Sequence, residues 1–214
     1  MIYSLVNGFL LGSIVFALGL VVDNTISKET KKYIEKDNYK LYDDGQKKIQ
    51  FNLLIASPFI YSFIYETCIN KTKFFIFEIE KVFIILLIQN LGYFLVHKIF
   101  HINTKFYKYH KFHHKFDKIL IPSIGNAVSL TEFILAYMTP FGIGAYFTFP
   151  SEFSFIVCLF IIAVLNMSIH CFELKNTKYP KFLVSPEKHF NHHRVRNKHY
   201  AAPFVDIDEI FERN

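Results

Sequence analysis

The chain has 214 residues, a length that suits one domain, but 52% of them are hydrophobic and 26 are Phe. This composition argues against an ordinary soluble domain. Three scattered cysteines, Cys68, Cys158 and Cys171, form no C-x-x-C motif, which argues against a cysteine zinc site and a disulfide framework. The formal net charge of +6 suits either nucleic acid or anionic lipid, and the distribution of the charges decides between them.

The apolar segments predict an all-α integral membrane helical bundle with four to five apolar helices. Residues 2–22 carry no charge and reach the roughly 20 residues that a spanning helix needs. The first lysine is Lys28, so these residues lack the basic start of a cleaved signal peptide. Residues 49–69 predict a second span, kinked at Pro58. The DDG sequence at 43–45 predicts a turn before it.

The second half of the chain predicts one more helix and a helical hairpin. Residues 74–96 carry charges only in their first third, so we expect 82–96 to be the embedded part. Residues 124–149 and 153–169 are apolar stretches separated by Pro150. We expect a hairpin whose helices need not both cross the bilayer fully.

The basic residues predict the orientation in the membrane. Residues 23–48, 97–123 and 171–214 hold 7, 6 and 8 of the 24 basic residues and contain nine of the ten histidines, and the tenth, His170, directly precedes the last range. The positive-inside rule places these three segments in the cytosol. The net charge therefore indicates membrane orientation, and we expect no nucleic acid partner because the sequence shows no basic-aromatic recognition module.

The histidines predict a metal centre, a His-rich di-metal cap on the cytosolic side. Nine of them lie in four groups, HKIFH (97–101), HKFHH (110–114), His170 and HFNHH (189–193). Spacings of i, i+3 and i+4 bring imidazoles to one face of a helix. Two ions with four or five ligands each would use this number, whereas one closed zinc site needs four ligands and haem one or two. Because imidazole suits iron and no H-E-x-x-H motif is present, a pair of non-haem irons fits best.

These motifs and their order resemble the sterol desaturase/fatty acid hydroxylase superfamily of membrane di-iron oxygenases, over roughly residues 82–211. In the C-terminal stretch, Tyr200, Ala201, Asp208 and Phe211 keep the family's pattern. His199 replaces a usual Asn, and Glu212-Arg213 replaces a usual Gly-Thr. Within the superfamily, FYKYHKFHH and the Tyr-Ala pair are most similar to 4-methylsterol oxidases, which does not name a substrate.

The apolar segments predict an N-terminal transmembrane hairpin with a Lys-rich cytosolic loop (1–73), and the resemblance implies a fatty acid hydroxylase/sterol desaturase-like domain (74–214). It also implies an O₂-dependent oxidoreductase that hydroxylates or desaturates a C–H bond of a sterol, fatty acyl or sphingolipid substrate in lipid biosynthesis. Carried over by motif, the iron ligands are His97, His101, His110, His113, His114, His170, His189, His192 and His193. No catalytic residue beyond these metal ligands is implied.

The cofactors implied are two iron ions, which zinc can replace in purified samples. Electrons come from an external donor, cytochrome b5 with its reductase in the family, because the chain has no G-x-G-x-x-G motif. The family also implies the endoplasmic reticulum membrane. The lipid substrate is expected in an apolar groove between 82–96, 124–149 and 153–169.

Two polar residues are expected close to the metal ligands. Asn166 stands four residues before His170, where fatty acid 2-hydroxylases carry a tenth histidine, and we expect its amide to lie near the metal, acting directly or through water. His199 is expected to orient a ligand by a hydrogen bond. Two alternatives stay open, a catalytically inactive protein of the same fold and a membrane protein that only binds or transports metal.

Overall fold

The computed structural model of the chain describes residues 1–211, which are mainly helical and contain no β-strand, only an isolated antiparallel bridge between Leu183 and Val205. The α-helices are α1 (Ile2–Thr25), α2 (Lys28–Gln50), α3 (Ser57–Cys68), α4 (Ile79–Ile102), α5 (Thr104–His110), α6 (Leu130–Glu132), α7 (Thr139–Thr148), α8 (Glu152–Ile169), α9 (Pro186–Val195) and α10 (Ile207–Phe211). Short 3₁₀ turns occupy Lys71–Lys73, His113–Lys115, Pro122–Asn126 and Phe172–Leu174.

Three of the helices that the structure describes, α1, α4 and α8, are long and apolar enough to cross a membrane. Their lengths are 24, 24 and 18 residues. They confirm the prediction of an all-α membrane protein. The remaining two predicted apolar helices are present as α3 and α6–α7, each next to a π-helical turn.

The two π-helical turns, Phe51–Ala56 and Phe133–Met138, have a common local cause. Each is followed two residues later by a proline, Pro58 in α3 and Pro140 in α7. Proline lacks the N–H of a regular helical hydrogen bond and its ring clashes with the preceding turn. A wider turn before the proline relieves this clash, and the chain continues in helical conformation on both sides.

The predicted turn at 43–45 is wrong. Gly45 lies inside α2 and is buried, and a Cβ added there would approach Phe116 Cζ to 3.0 Å. The glycine therefore permits close packing of α2. The helical backbone is interrupted earlier, at Asn38, whose side chain accepts a hydrogen bond from the backbone N–H of Leu41.

The three long helices run in the same direction, so their C-terminal ends meet at the end of the bundle that carries the histidines. At this end Asp23 of α1 accepts a hydrogen bond from Ser123 N at 3.0 Å. At the opposite end Tyr3 donates to Glu152, the first residue of α8, at 2.9 Å. Residues 23–48, 97–123 and 171–211 thus share one end; its cytosolic location stays a prediction.

The predicted division at residue 73 stays a prediction. Helix α1 packs mainly against α3, and it also contacts α8 and the turn at Pro122–Asn126. The N-terminal hairpin therefore shares the hydrophobic core with the rest of the described chain.

Candidate metal centre

The nine predicted histidines are carried to one place by four short stretches of the chain. His97 and His101 lie in the last turns of α4, and Asn103 then caps α5, its side chain accepting from Lys105 N. This turn brings α5 and the following 3₁₀ turn back beside α4, with His110, His113 and His114. His170 follows the last residue of α8. Helix α9, capped by Ser185, contributes His189, His192 and His193.

The nine imidazoles form two groups, and within each the candidate ligand atoms lie within 4.8 Å of one another. The five-histidine group consists of His97, His101, His110, His114 and His192. The four-histidine group consists of His113, His170, His189 and His193. Eight of these side chains are buried and His101 is half-buried. The two groups match the number of ligands expected for two ions.

Inside each group the Nε2 atoms face one another. In the five-histidine group, His110 Nε2 lies 2.9 Å from His97 Nε2 and 2.8 Å from His114 Nε2. In the four-histidine group, His170 Nε2 lies 2.9 Å from His189 Nε2 and 3.3 Å from His113 Nε2. These distances leave room for one shared small cation in each group.

The hydrogen bonds of the Nδ1 atoms, on the other side of each ring, determine the tautomers. Six of the nine Nδ1 atoms lie 2.6–3.4 Å from an oxygen acceptor. The acceptors are the backbone carbonyls of Tyr200, His193, Asn166, Lys198 and Phe116 and the carboxylate of Glu132. A backbone carbonyl oxygen and an ionised carboxylate can only accept, so with these partners the ring hydrogen is on Nδ1 and Nε2 has a bare lone pair. Lone pairs that face each other repel, whereas a cation between them would be coordinated by both.

Burial keeps these imidazoles neutral. It lowers the pKa of His192 to about 3 and that of His170 to about 4, because the charged form loses its hydration. Neutral imidazole is the form that binds a metal ion. The residues therefore fit two metal ions held by nitrogen ligands.

Glu132 belongs to the site and was missed from the sequence. Its Oε1 lies 2.6 Å from His110 Nδ1, and its side chain is buried. A carboxylate behind a metal-binding histidine is a common supporting arrangement. The available signal was a single carboxylate in the apolar run 124–149, where an ionisable residue needs a partner.

The residues after α9 support the ligands through their backbone. Lys198 O accepts from His192 Nδ1 at 2.8 Å, and Tyr200 O accepts from His97 Nδ1 at 2.7 Å. Asp208 in turn accepts from Ala201 N at 2.5 Å. This arrangement gives Tyr200, Ala201 and Asp208, which match the pattern of the family that the sequence resembles, a physical role. Glu212 and Arg213 lie outside the described residues.

Asn166 and His199 lie beside the histidine groups. A Cβ added at Gly125 would lie 2.7 Å from Asn166 Nδ2 and 2.9 Å from His170 Nδ1. The Asn166 amide is therefore near the Nδ1 edge of His170, whereas Nε2 faces the four-histidine group. His199 is half-buried with a positive φ of 60° and belongs to neither group. The roles expected of both residues stay predictions.

An apolar cavity begins at the two amides of Asn126 and Asn166. It continues between α1, α3, α7 and α8 towards Tyr61, near the end of the bundle opposite the histidines. It therefore combines a polar end beside the four-histidine group with hydrocarbon walls.

The sequence predicted a substrate groove bordered by residues 82–96, but these residues do not line the cavity. Helix α4 packs directly on α7, and a Cβ added at Gly92 would lie 2.8 Å from the Pro140 ring. This close contact fills the expected space, and α1 and α3 form the corresponding cavity walls.

The model of the fatty acid hydroxylase family matches residues 82–213, which is more than half of the chain. No curated protein and no solved structure gave a significant match. The matched region includes all nine clustered histidines and Glu132. It does not include α1, α2 or α3.

Proposed function

Because the chain belongs to the fatty acid hydroxylase family, we propose that it is a membrane di-iron oxidoreductase that uses O₂ to hydroxylate or desaturate a lipid. The observation that carries the proposal is the pair of buried histidine groups. In the five-histidine group the Nε2 lone pair of His110 faces those of His97 and His114, at 2.9 and 2.8 Å. Two bound irons would supply the activation of O₂ and the oxidation of an unactivated C–H bond.

The protein's own contribution is to hold the ligands and to exclude water. The Nδ1 hydrogen bonds fix the tautomer and the orientation of six imidazoles before a metal arrives. The hydrocarbon walls of the cavity suit an acyl chain or a sterol, and the Asn126 and Asn166 amides can hydrogen-bond a polar group of that lipid. Such an arrangement would hold a chosen carbon next to the four-histidine group.

The remaining parts of the proposal rest on the family and on charge. Electrons are proposed to come from an external donor such as cytochrome b5 with its reductase. The basic end of the bundle, with the histidines, is proposed to face the cytosol from the endoplasmic reticulum membrane. A basic docking face would increase the rate of association with an acidic donor.

The proposal is tested by lipid profiling of a host that expresses the wild type, His113→Ala or Lys178→Ala. His113 belongs to the four-histidine group, while Lys178 is exposed and away from both groups. We expect a lipid richer in oxygen or in double bonds with the wild type and Lys178→Ala, and none with His113→Ala. Metal binding without any change in lipids would instead support the metal-binding alternative.

A further inference from the structure

Glu132 occupies a position that no other carboxylate among the described residues shares, in direct contact with a candidate metal ligand. It lies in the first turn of α6, where Ser129 caps the helix by accepting from Glu132 N at 3.1 Å. Its side chain is 1% exposed, and Oε1 lies 2.6 Å from His110 Nδ1. Oε2 is buried with no hydrogen-bond partner. One oxygen of this carboxyl group therefore contacts the His110 imidazole, and the other has no hydrogen-bond partner.

The contact makes the two histidine groups unequal. His97, His114 and His192 of the five-histidine group donate to backbone carbonyls, and so do His170 and His193 of the four-histidine group. His110 is the one member of these six whose acceptor can carry a full charge. Hydrogen bonds to ionised acceptors are shorter and roughly twice as strong as those between neutral groups.

Burial raises the pKa of the Glu132 carboxyl group well above its ordinary value, so the ionised form needs a nearby cation. Lys48 of α2 is a cation whose charge favours the ionised form of Glu132, and its ammonium lies over the Phe112 ring. Lys48 forms no ion pair with Glu132, and Oε2 is left without a partner. The more effective compensation would be an ion bound by Nε2 of His110, one imidazole ring away from Oε1.

We infer that Glu132 is a positioning residue that makes the two metal ions chemically different. Its charge withdraws the Nδ1 hydrogen of His110 and increases the electron donation of Nε2, which stabilises the more highly charged state of the ion in the five-histidine group. That ion should have a lower reduction potential than it would have with a neutral residue at position 132. This inference rests on the proposed function for the presence of the two irons.

The test compares iron-loaded wild type with Glu132→Gln, both as full chains in detergent micelles. The glutamine carbonyl can still accept from His110 Nδ1, so both irons should remain bound. We expect Mössbauer spectra in which one of the two iron signals changes, a more positive reduction potential for that iron, and a roughly 10- to 100-fold loss of activity or metal affinity.

The matched control is Glu152→Gln, which also removes a buried carboxylate. Glu152 accepts from Tyr61, Tyr3 and Asn7 at the opposite end of the bundle. Its substitution should leave both iron signals and their potentials as in the wild type. Identical spectra and potentials for Glu132→Gln and the wild type would overturn the inference about Glu132 alone.

A wild type that binds fewer than two irons would overturn the proposed function and this inference with it. If Glu132→Gln does not fold, Glu132→Asp provides the second measurement. It keeps the charge but is one methylene shorter, which lengthens the contact with His110 Nδ1, so the potential of the same iron should become more positive. An unchanged or more negative potential for Glu132→Asp would then overturn the inference.

Discussion

His97 and His110 face each other through Nε2 atoms 2.9 Å apart, while each has its Nδ1 hydrogen directed at a separate oxygen. The two lone pairs repel in the absence of a cation and would both coordinate one that lies between them. In the four-histidine group His170 Nε2 also lies close to Nε2 of His113 and His189, but these two rings have no acceptor at Nδ1 to fix their tautomers. The surrounding fold therefore holds the lone pairs of His97 and His110 together, and a bound metal ion would relieve their repulsion.

Metal removal should destabilise the protein. Because metal binds the folded site and relieves the repulsion between imidazoles, a chelator should lower the thermal unfolding temperature, and added zinc or iron should restore it. A detergent-solubilised sample can be followed by circular dichroism at 222 nm. Equal unfolding temperatures with and without metal would show that the nine imidazoles do not bind it appreciably.

His199→Ala should retain close to two ions per chain and lose only part of the activity. The side chain is half-buried and belongs to neither histidine group. Metal content and lipid product are measured on the same preparation. If His199→Ala loses an ion as completely as His114→Ala, His199 is a ligand and its expected supporting role is wrong.

Ala163→Phe should abolish lipid oxidation without removing metal. Ala163 lines the apolar cavity, and a phenyl ring there would occupy the space proposed for the lipid. The matched control is Val164→Phe, because Val164 is the next residue of α8 and is 47% exposed on the outer surface. Lipid analysis should show product with Val164→Phe and not with Ala163→Phe. Equal product from both would remove the cavity from the substrate path.

Cysteine labelling in intact membranes should place residues 36 and 198 on the same face and residue 71 on the other. All three native cysteines are buried, so a single introduced cysteine at an exposed lysine provides the accessible thiol. Lys36→Cys and Lys198→Cys should react with an impermeant reagent only from the cytosolic side. Labelling of these two from opposite faces would contradict the shared end of the bundle.

The sequence was most informative where the spacing along a helix is short. The H-x-x-x-H and H-x-x-H-H spacings predicted nine ligands because i, i+3 and i+4 positions meet on any regular helix, and all nine come together. The long apolar runs likewise predicted α1, α4 and α8. Both signals are local, so they do not depend on how distant segments pack.

The details that required the structure are contacts between distant segments. The contact of Glu132 with His110 crosses 22 positions of the chain, and sequence alone offered only an isolated carboxylate in an apolar run. The division of the nine histidines into a group of five and a group of four depends on how α9 packs against α4 and α5. The turn predicted at Gly45 is wrong for the same reason. The glycine permits close packing against Phe116, and the sequence does not reveal this contact because Phe116 is far along the chain.

The central claim, one ion in each histidine group, is tested most directly by elemental analysis of three purified proteins. The wild type should contain two metal ions per chain. His114→Ala, in the five-histidine group, and His189→Ala, in the four-histidine group, should each retain about one. Zinc in place of iron would agree with the account, because zinc binds such sites more tightly than ferrous iron. One ion or none in the wild type, or full metal content in either variant, would contradict it.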